Sequence, residues 1–502
     1  MDHLSSLDAS FLHLETPAVP MHAGCVMLLD VPDARRTGFL DELQRTMVAR
    51  MQVEPVFSRK LQAVPFGFAN PVWDTEENVD LDHHVRSHTL PSPGGMRELE
   101  RYVEAEHARL LDRARPLWEL HLVDGLADGK LALYAKVHHA AIGGIGAGAI
   151  LKCLADGVHS ASPAHPVRAP GEARPGALAL LAASVTHSMG QALGLVRHVP
   201  DAMRSIAAMQ GKLPSAAPRT VFNASITAER AFSTLQFPLG ELTVAARVFA
   251  GTVNDVLLAM VGGALRRYLE GGKGLPAQSL VAAVPVNLRE REGGEVHNQF
   301  SLWRTELATN VPDVAARMRA IVAHTRDMRA NIAALRPLAL TDFPGIGAPW
   351  LMGGAAVAVE FTGLANALPP AANVVVSEVP GPAQPPYIAG ARVLASYPVS
   401  IVMHGLALNV TAQSCCDRLN VGIVAAASAV PDLQRFSACL REAHKDLVAA
   451  AHAHDPHAAS APIVTGDAAT DAGSHASPRT GAGDAVDRAP PRTNGRSRSK
   501  GA

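Results

Sequence analysis

Two adjacent histidines at the end of an apolar run are the residues in this chain whose chemistry is easiest to name. The segment KVHHAAIGGIG places His138 and His139 a few residues before Gly143 and Gly144. A neutral imidazole can accept a proton from a hydroxyl group near neutral pH, and glycine lets backbone approach a ligand closely. The segment therefore predicts a general base beside a glycine-rich loop.

The surroundings of the histidine pair carry more information than the pair itself. Twenty-two histidines in 502 residues predict about one adjacent pair by chance, and His83-His84 is a second one. Residues 127–129, Ala-Asp-Gly, separate two strand-like runs and favour a hairpin whose second strand ends at the histidines. Alternation along that strand places His139 at the end of an apolar row and His138 on the other face. These features alone fit a catalytic base and a core histidine bonded to backbone equally well.

Several other classes of function have little support in the composition. The formal net charge of −1 gives no general attraction to nucleic acid. We expect no metal site, since no H-E-x-x-H occurs and the nearest approach to a ligand pair is Cys415-Cys416. The five cysteines are odd in number and scattered, which favours the reducing cytoplasm. We predict neither a signal peptide nor a transmembrane helix.

Composition divides the chain into four regions. Residues 1–160 and 220–450 both mix strand-like runs with amphipathic helical patterns, which predicts two α/β domains. Between them, residues 161–219 are rich in Ala and Pro and carry a net charge of +4, as expected of a connector. Residues 451–502 contain few large apolar side chains, and we predict a disordered tail.

Several blocks of sequence, taken in order, resemble one known family. HHAAIGG is similar to the HHxxxDG motif of CoA-dependent acyltransferases of the chloramphenicol acetyltransferase-like superfamily. The chain as a whole, over about residues 4–450, resembles the bacterial wax ester synthase/diacylglycerol acyltransferase family. The blocks that carry this resemblance are LSSLDASFLHLETPAVPMHAG, RPLWELHLVDGL, TVNDVLLAMVGGALRRYL, VPVNLR, HNQFS, NVVVSEVPGP and YPVSIVMHGLALNVT.

The resemblance implies a fold, a reaction and site residues. It implies two chloramphenicol acetyltransferase-like α/β domains with mixed sheets and an active-site tunnel at their interface. By the same resemblance, His139 is the general base and His138 supports it, while acyl-CoA is a co-substrate and no cofactor stays bound. The acceptor is diacylglycerol or a long-chain alcohol. The implied location is cytoplasmic, with a peripheral contact to the inner face of the membrane or to a lipid droplet, and oligomeric state stays open.

Gly143 departs from the family pattern, which has aspartate at that position. The aspartate is regarded as structural, and glycine adds backbone freedom instead of an ion pair. Two hypotheses follow: an active acyltransferase whose loop is held by other contacts, and a degenerate lipid- or CoA-binding homologue. A third alternative, transfer to an amine as in peptide-condensation domains, is weakened because no carrier-protein domain accompanies the chain.

Other motif residues have a simpler structural interpretation beside the functional one. Asn254 and Asp255 match an Asn-Asp element of the family and would lie near the tunnel. They also follow Thr252 in the first turn of a predicted helix, where capping explains them better. His22, in PMHAG, matches a common family position, and a structural role is the simpler interpretation.

The connector carries a membrane hypothesis with an equally good alternative. Its apolar side chains and nearby arginines could lie on an anionic lipid surface, or the segment could be a helix packed on its own protein. The apolar residues concerned are Leu178, Leu181, Val185, Met189 and Val196.

Overall fold

Helices and strands alternate through the part of the chain that the structure describes. The computed structural model describes residues 2–4, 6–64, 70–142, 147–157, 216–272, 274–287, 300–335 and 349–456, all within one unit that spans Met1–Ser460. The strands of these regions are β1 (Asp2–His3), β2 (His22–Asp30), β3 (Arg59–Gln62), β4 (Val72–Thr75), β5 (Val85–Thr89), β6 (Trp118–Asp124), β7 (Leu131–His138), β8 (Arg230–Pro238), β9 (Val281–Asn287), β10 (Phe300–Glu306), β11 (Val374–Val379), β12 (Tyr387–Ile388), β13 (Ala391–Val399), β14 (Leu408–Cys415) and β15 (Arg418–Ala426).

Helices cover the sheets on several sides. They are α1 (Ser6–Leu14), α2 (Asp33–Arg36), α3 (Phe39–Val53), α4 (Leu81–His84), α5 (Met96–His107), α6 (Ala147–Leu154), α7 (Leu239–Val248), α8 (Val253–Glu270), α9 (Val314–Leu335), α10 (Pro349–Thr362) and α11 (Leu433–His454). Short 3₁₀ turns occupy Pro55–Phe57, His139–Ala141 and Leu364–Asn366. The last long helix, α11, continues past the predicted boundary at residue 450, because its alanines favour helix and Ala451 is buried.

Two six-stranded sheets form the framework, and both are mixed. The first has the order β12-β13-β2-β7-β6-β5, in which β5 and β6 are parallel. The second has the order β10-β9-β11-β14-β15-β8, in which β11 is parallel to both of its neighbours. A small sheet, β1-β4-β3, stands beside them. The predicted α/β class with mixed sheets is confirmed.

The predicted hairpin and the predicted helix cap both form for the expected reasons. Strands β6 and β7 are antiparallel, and Gly129 in their turn has φ of +74°, which glycine adopts without strain. At the start of α8, the Thr252 hydroxyl accepts from the Asp255 N–H at 3.3 Å, and the Asp255 carboxylate accepts from the Thr252 N–H at 2.8 Å. This reciprocal pair is a capping box.

The helix α5 closes the exposed edge of the second sheet. Strand β8 ends that sheet, so its outward N–H groups have no neighbouring strand. Glu104 accepts from the Phe232 N–H at 2.9 Å, and Glu100 accepts from the Thr234 N–H at 2.7 Å. Two carboxylates from the first part of the chain thereby pair with the edge of a sheet formed by the second part.

Strand β13 belongs to the first sheet although it comes from the second half of the chain. It pairs antiparallel with β2 and also contacts β14 and β15 of the second sheet. Gly422 of β15 permits this contact, since a Cβ atom there would lie 1.7 Å from the Pro398 carbonyl oxygen. Backbone therefore approaches backbone where the two sheets meet.

Among the described residues, no single helix is both long and apolar enough to cross a bilayer. The pair α7 and α8 would pass together by length and composition, but it bends by 96°.

Replacing Gly422 with alanine tests the close approach of the sheets. The added methyl group would collide with backbone, which cannot rotate away as a side chain can, so we expect the free energy of unfolding to fall by about 3 kcal/mol. Gly354 of α10 is the matched control, because a Cβ atom there meets nothing within 4 Å. Urea denaturation of Gly354→Ala should show stability unchanged or about 0.5–1 kcal/mol higher. Equal midpoints for the two variants would contradict the proposed contact.

Candidate active site

The histidine pair lies where a strand gives way to a tight turn. His138 is the last residue of β7, and His139 begins the 3₁₀ turn that follows. The side chains Leu131, Leu133, Ala135 and Val137 of β7 join one apolar core, as alternation predicts. Because the strand ends between the two histidines, their rings have different surroundings and can do different work.

His139 is held by one backbone contact and one ring contact. Its N–H donates to the Met21 carbonyl oxygen at 2.8 Å. Its ring stacks on Phe11 of α1, with 4.3 Å between centroids and 26° between planes. Nδ1 is buried without a hydrogen-bond partner among the described residues, while the residue as a whole keeps partial exposure. Nε2 is therefore the nitrogen that can face a substrate.

The surroundings of His139 favour the uncharged ring. Burial lowers the pKa of His139 to about 4, and the neighbouring His138 contributes in the same direction. The backbone carbonyl group of His139 acts to raise this pKa, although it forms no hydrogen bond with Nδ1. A ring with this pKa is unprotonated at neutral pH, which is the form that a general base requires.

His138 faces the opposite way, toward a buried carboxylate. Its Nδ1 accepts from the Ala140 N–H at 3.1 Å, so in the neutral ring the proton is on Nε2. Nε2 lies 3.3 Å from Oε1 of Glu15. His22 pairs with His138 across β2 and β7, and its Nε2 lies 3.2 Å from the same oxygen. We call Glu15, His22 and His138 the carboxylate cluster.

Glu15 also has partners outside the carboxylate cluster. The Met21 N–H donates to Oε1 at 3.1 Å, and the Arg113 guanidinium donates twice to Oε2, at 2.8 and 3.1 Å. The Glu15 side chain is only 2% exposed. Both imidazole contacts are close but bent, so their contribution is mainly electrostatic.

In the carboxylate cluster, burial and the contacts between Glu15 and the two imidazoles shift each pKa in opposite directions. Burial alone would raise the pKa of Glu15, but attraction to His138 and His22 outweighs it, and the pKa lies far below its usual range. Burial lowers the pKa of His22 to about 4, although contact with Glu15 opposes this. The cluster therefore holds an ionised carboxylate at neutral pH.

A second buried polar group lies further along the same face of β7. The Lys136 ammonium donates to the carbonyl oxygens of Glu106 and Arg109, at 2.9 and 2.6 Å, and lies 3.7 Å from Oε2 of Glu119. Side-chain atoms of Glu106, Glu119 and His121 lie within 4.8 Å of one another, close enough to hold a metal ion. The Lys136 ammonium already supplies positive charge beside this group, so the group does not require a metal.

The other predicted site residues do not join the histidines in the described structure. Gly143 and Gly144 lie outside the described residues. The carboxylate of Asp255 bonds to the Thr252 N–H and, at 3.0 Å, to Arg329, both in the second half of the chain. Asn254 is the neighbouring residue in the first turn of α8 and is partly buried.

Three residues that shape the site were not predicted from the sequence: Phe11, Glu15 and Arg113. Each lies far from His139 along the chain, and a glutamate between a helix and a proline resembles an ordinary surface residue. The one usable signal was His22, because a histidine that opens a strand can pair with one that closes its neighbour.

The comparisons with known proteins identify the family. Residues 4–257 match the model of the wax ester synthase/diacylglycerol acyltransferase catalytic domain, and residues 296–447 match that of the WS/DGAT C-terminal domain. The chain belongs to this family. Accordingly, it is an acyltransferase.

Relatives over nearly the whole length support the family assignment. A probable diacylglycerol O-acyltransferase of Mycobacterium tuberculosis is 35% identical over 458 residues, covering 89% of this chain and 99% of that one. The O-acyltransferase WSD of Acinetobacter baylyi is 30% identical over 455 residues, covering 88% and 96%. Among solved structures, the wax ester synthase/diacylglycerol acyltransferase from Marinobacter aquaeolei superposes with a TM-score of 0.64 at 30% identity, covering 89% and 99%.

More distant structures share the fold alone. The first condensation domain of the CDA synthetase superposes with a TM-score of 0.54 at 15% identity, covering 89% of this chain and 96% of that one. The trichothecene 15-O-acetyltransferase of Fusarium sporotrichioides gives 0.53 at 12% identity, covering 88% and 94%.

We expect the ionisation of His139 to set the acid limb of the activity profile of this acyltransferase. An ordinary histidine is protonated below about pH 6.5, whereas His139, with a pKa of about 4, stays a free base well below that value. We expect kcat/KM to hold down to the acid side of pH 6.5 and to fall only toward pH 4. Circular dichroism at each pH shows that the protein remains folded. An inflection at or above pH 6.5 would contradict the assigned role of burial.

Proposed function

We propose that the protein transfers a fatty acyl group from acyl-CoA to the hydroxyl group of diacylglycerol or of a long-chain alcohol, with His139 as general base. The observation that carries this proposal is the His139 ring, which is partly exposed, stacked on Phe11 and low in pKa. The relatives named as diacylglycerol O-acyltransferases and wax ester synthases support the substrate class.

The reaction needs one base that also acts as an acid. An alcohol is too weak an acid to ionise near neutral pH, so Nε2 of His139 takes its proton as oxygen attacks the thioester carbonyl. The new C–O bond gives a tetrahedral oxyanion. When the carbonyl re-forms, the C–S bond breaks and the imidazolium returns its proton to the CoA sulfur. No acyl-enzyme forms, because the acceptor oxygen attacks directly.

Other parts of the mechanism stay predictions from sequence. Backbone N–H groups of the glycine-rich residues 143–146 are the candidates for oxyanion donors. A tunnel between the domains 1–160 and 220–450 would bring the two substrates to His139 from opposite sides and exclude water. Asn254 and Asp255 would lie near this tunnel.

An acyl-transfer assay tests the proposed function directly. Purified protein with palmitoyl-CoA should release free CoA thiol only when diacylglycerol or hexadecanol is present, and the lipid product should appear by mass spectrometry. His139→Gln should lower kcat by roughly 10²- to 10⁴-fold, the usual contribution of a general base. The matched control is His452→Gln on the exposed surface of α11, which should leave the rate unchanged.

The second hypothesis, a degenerate homologue that binds lipid or CoA without turnover, rests on Gly143. Under this hypothesis the wild-type chain shows no acceptor-dependent CoA release, yet binds palmitoyl-CoA in calorimetry. Gly143→Asp separates the cases further, since it should raise kcat if the wild-type loop is only loose. Binding without turnover in both the wild type and Gly143→Asp would favour the degenerate homologue.

We also propose a peripheral contact with lipid, because both acceptors partition into membranes. Its support is an exposed apolar surface around the end of α10, where Phe361 is 83% exposed. Val357, Leu364 and Leu368 are exposed nearby, and α10 packs on α1, the helix that carries Phe11. Most of the connector at residues 161–219, which the sequence predicts as a candidate for membrane contact, lies outside the described residues.

Liposome flotation tests this lipid contact. Serine at both Phe361 and Leu368 removes two exposed apolar side chains that would insert into lipid, so partitioning into phosphatidylcholine/phosphatidylglycerol vesicles should fall about tenfold or more. The matched control has serine at Val48 and Val53, which are exposed apolar residues of α3. This double variant should float like the wild type. Failure of the wild type to float, or an equal loss in both double variants, would reject the contact at α10.

A further inference from the structure

We propose that Glu15 is a positioning residue for acyl transfer, acting through His138 and Met21 on the catalytic His139. The inference rests on the proposed function and deepens it. Glu15 is closed off from solvent by its own partners, so it acts on the reaction only by holding other groups.

Met21 connects Glu15 with His139. Its N–H donates to the Glu15 carboxylate at 3.1 Å, and its carbonyl oxygen accepts from the His139 N–H at 2.8 Å. The backbone N–H of Met21 thus contacts the Glu15 carboxylate, and its backbone carbonyl group contacts His139. A shift of Glu15 therefore moves the backbone to which His139 is bound.

His138 forms the second connection. Its Nδ1 accepts a hydrogen bond from the Ala140 N–H, and its Nε2 lies 3.3 Å from the Glu15 carboxylate in an electrostatic contact. Ala140 follows His139 directly in the 3₁₀ turn. The carboxylate is therefore connected to the backbone around His139 in two ways. One runs through Met21, which accepts from the His139 N–H, and the other runs through His138 to Ala140, the residue after His139.

Arg113 fixes the far oxygen of the carboxylate. It donates twice to Oε2 and once, at 2.7 Å, to the Leu12 carbonyl oxygen of α1. That helix also carries Phe11, whose ring stacks on His139. One ionised side chain therefore sets both the backbone and the stacking partner of the base, and a neutral amide would lose attraction to Arg113, His22 and His138 together.

Two substitutions separate charge from hydrogen bonding. Glu15→Gln keeps the size and one acceptor oxygen but removes the charge, and Glu15→Leu removes both. We expect kcat to fall roughly 10- to 100-fold in Glu15→Gln, and further in Glu15→Leu, with KM for palmitoyl-CoA within about twofold of wild type. Loss in kcat alone distinguishes positioning from weaker substrate binding.

A matched carboxylate elsewhere supplies the control. Glu42 of α3 pairs with Arg35 at the surface and has no contact with the carboxylate cluster. Glu42→Gln should leave kcat, KM and the melting temperature unchanged. A kcat for Glu15→Gln within about twofold of wild type overturns the proposal, as does a loss that matches the fraction of unfolded protein.

A measurement on the wild-type protein keeps the inference testable if the variants fail to fold. ¹⁵N NMR of histidine-labelled protein, with His138 assigned from a His138→Gln spectrum, should show a proton on Nε2 of His138 and none on Nδ1, which accepts from the Ala140 N–H. A proton on Nδ1, in a neutral or a charged ring, overturns the proposal. Absence of any acyl transfer by the wild type would instead contradict the proposed function, and the NMR measurement of His138 would still be valid.

Discussion

A carboxylate buried among imidazoles and a guanidinium is the interaction on which the architecture of the site depends. An ionised glutamate in the interior is stable only when donors and opposite charge replace the water it has lost. For Glu15 those partners come from the loop at Met21, from strands β2 and β7, and from Arg113 beyond α5. Satisfying one carboxylate therefore brings three other parts of the chain, at residues 21–22, 113 and 138, to Glu15.

The same arrangement gives two adjacent histidines opposite properties. His138 points toward the anion and accepts a hydrogen bond at Nδ1, whereas His139 stacks on an aromatic ring with Nδ1 unpartnered. The first can be an orienting group and the second a base. The change from strand to 3₁₀ turn between them is what separates their surroundings, because it ends the alternation of faces.

The two halves of the chain are joined by a strand of the second half that lies in the first sheet, as well as by side-chain contacts. Strand β13 lies in the first sheet, and Gly422 lets the second sheet approach its backbone. Glu100 and Glu104 of α5 then pair with the edge strand β8. These contacts fix how the first half, which carries the histidines, faces the second half, which carries α8 and α10.

Local pattern in the sequence determined the hairpin that ends at His138, the Thr252 capping box, the mixed α/β class and, through the motif blocks, the family. These features depend on residues close together in the chain, where alternation, turn chemistry and capping act directly. Only the tertiary structure decided that Glu15 is buried between His22 and His138, that Phe11 stacks on His139, and that β13 crosses to the first sheet. Each of these joins residues that are remote in sequence, and the energy of a buried charge depends on which donors the whole fold delivers to it.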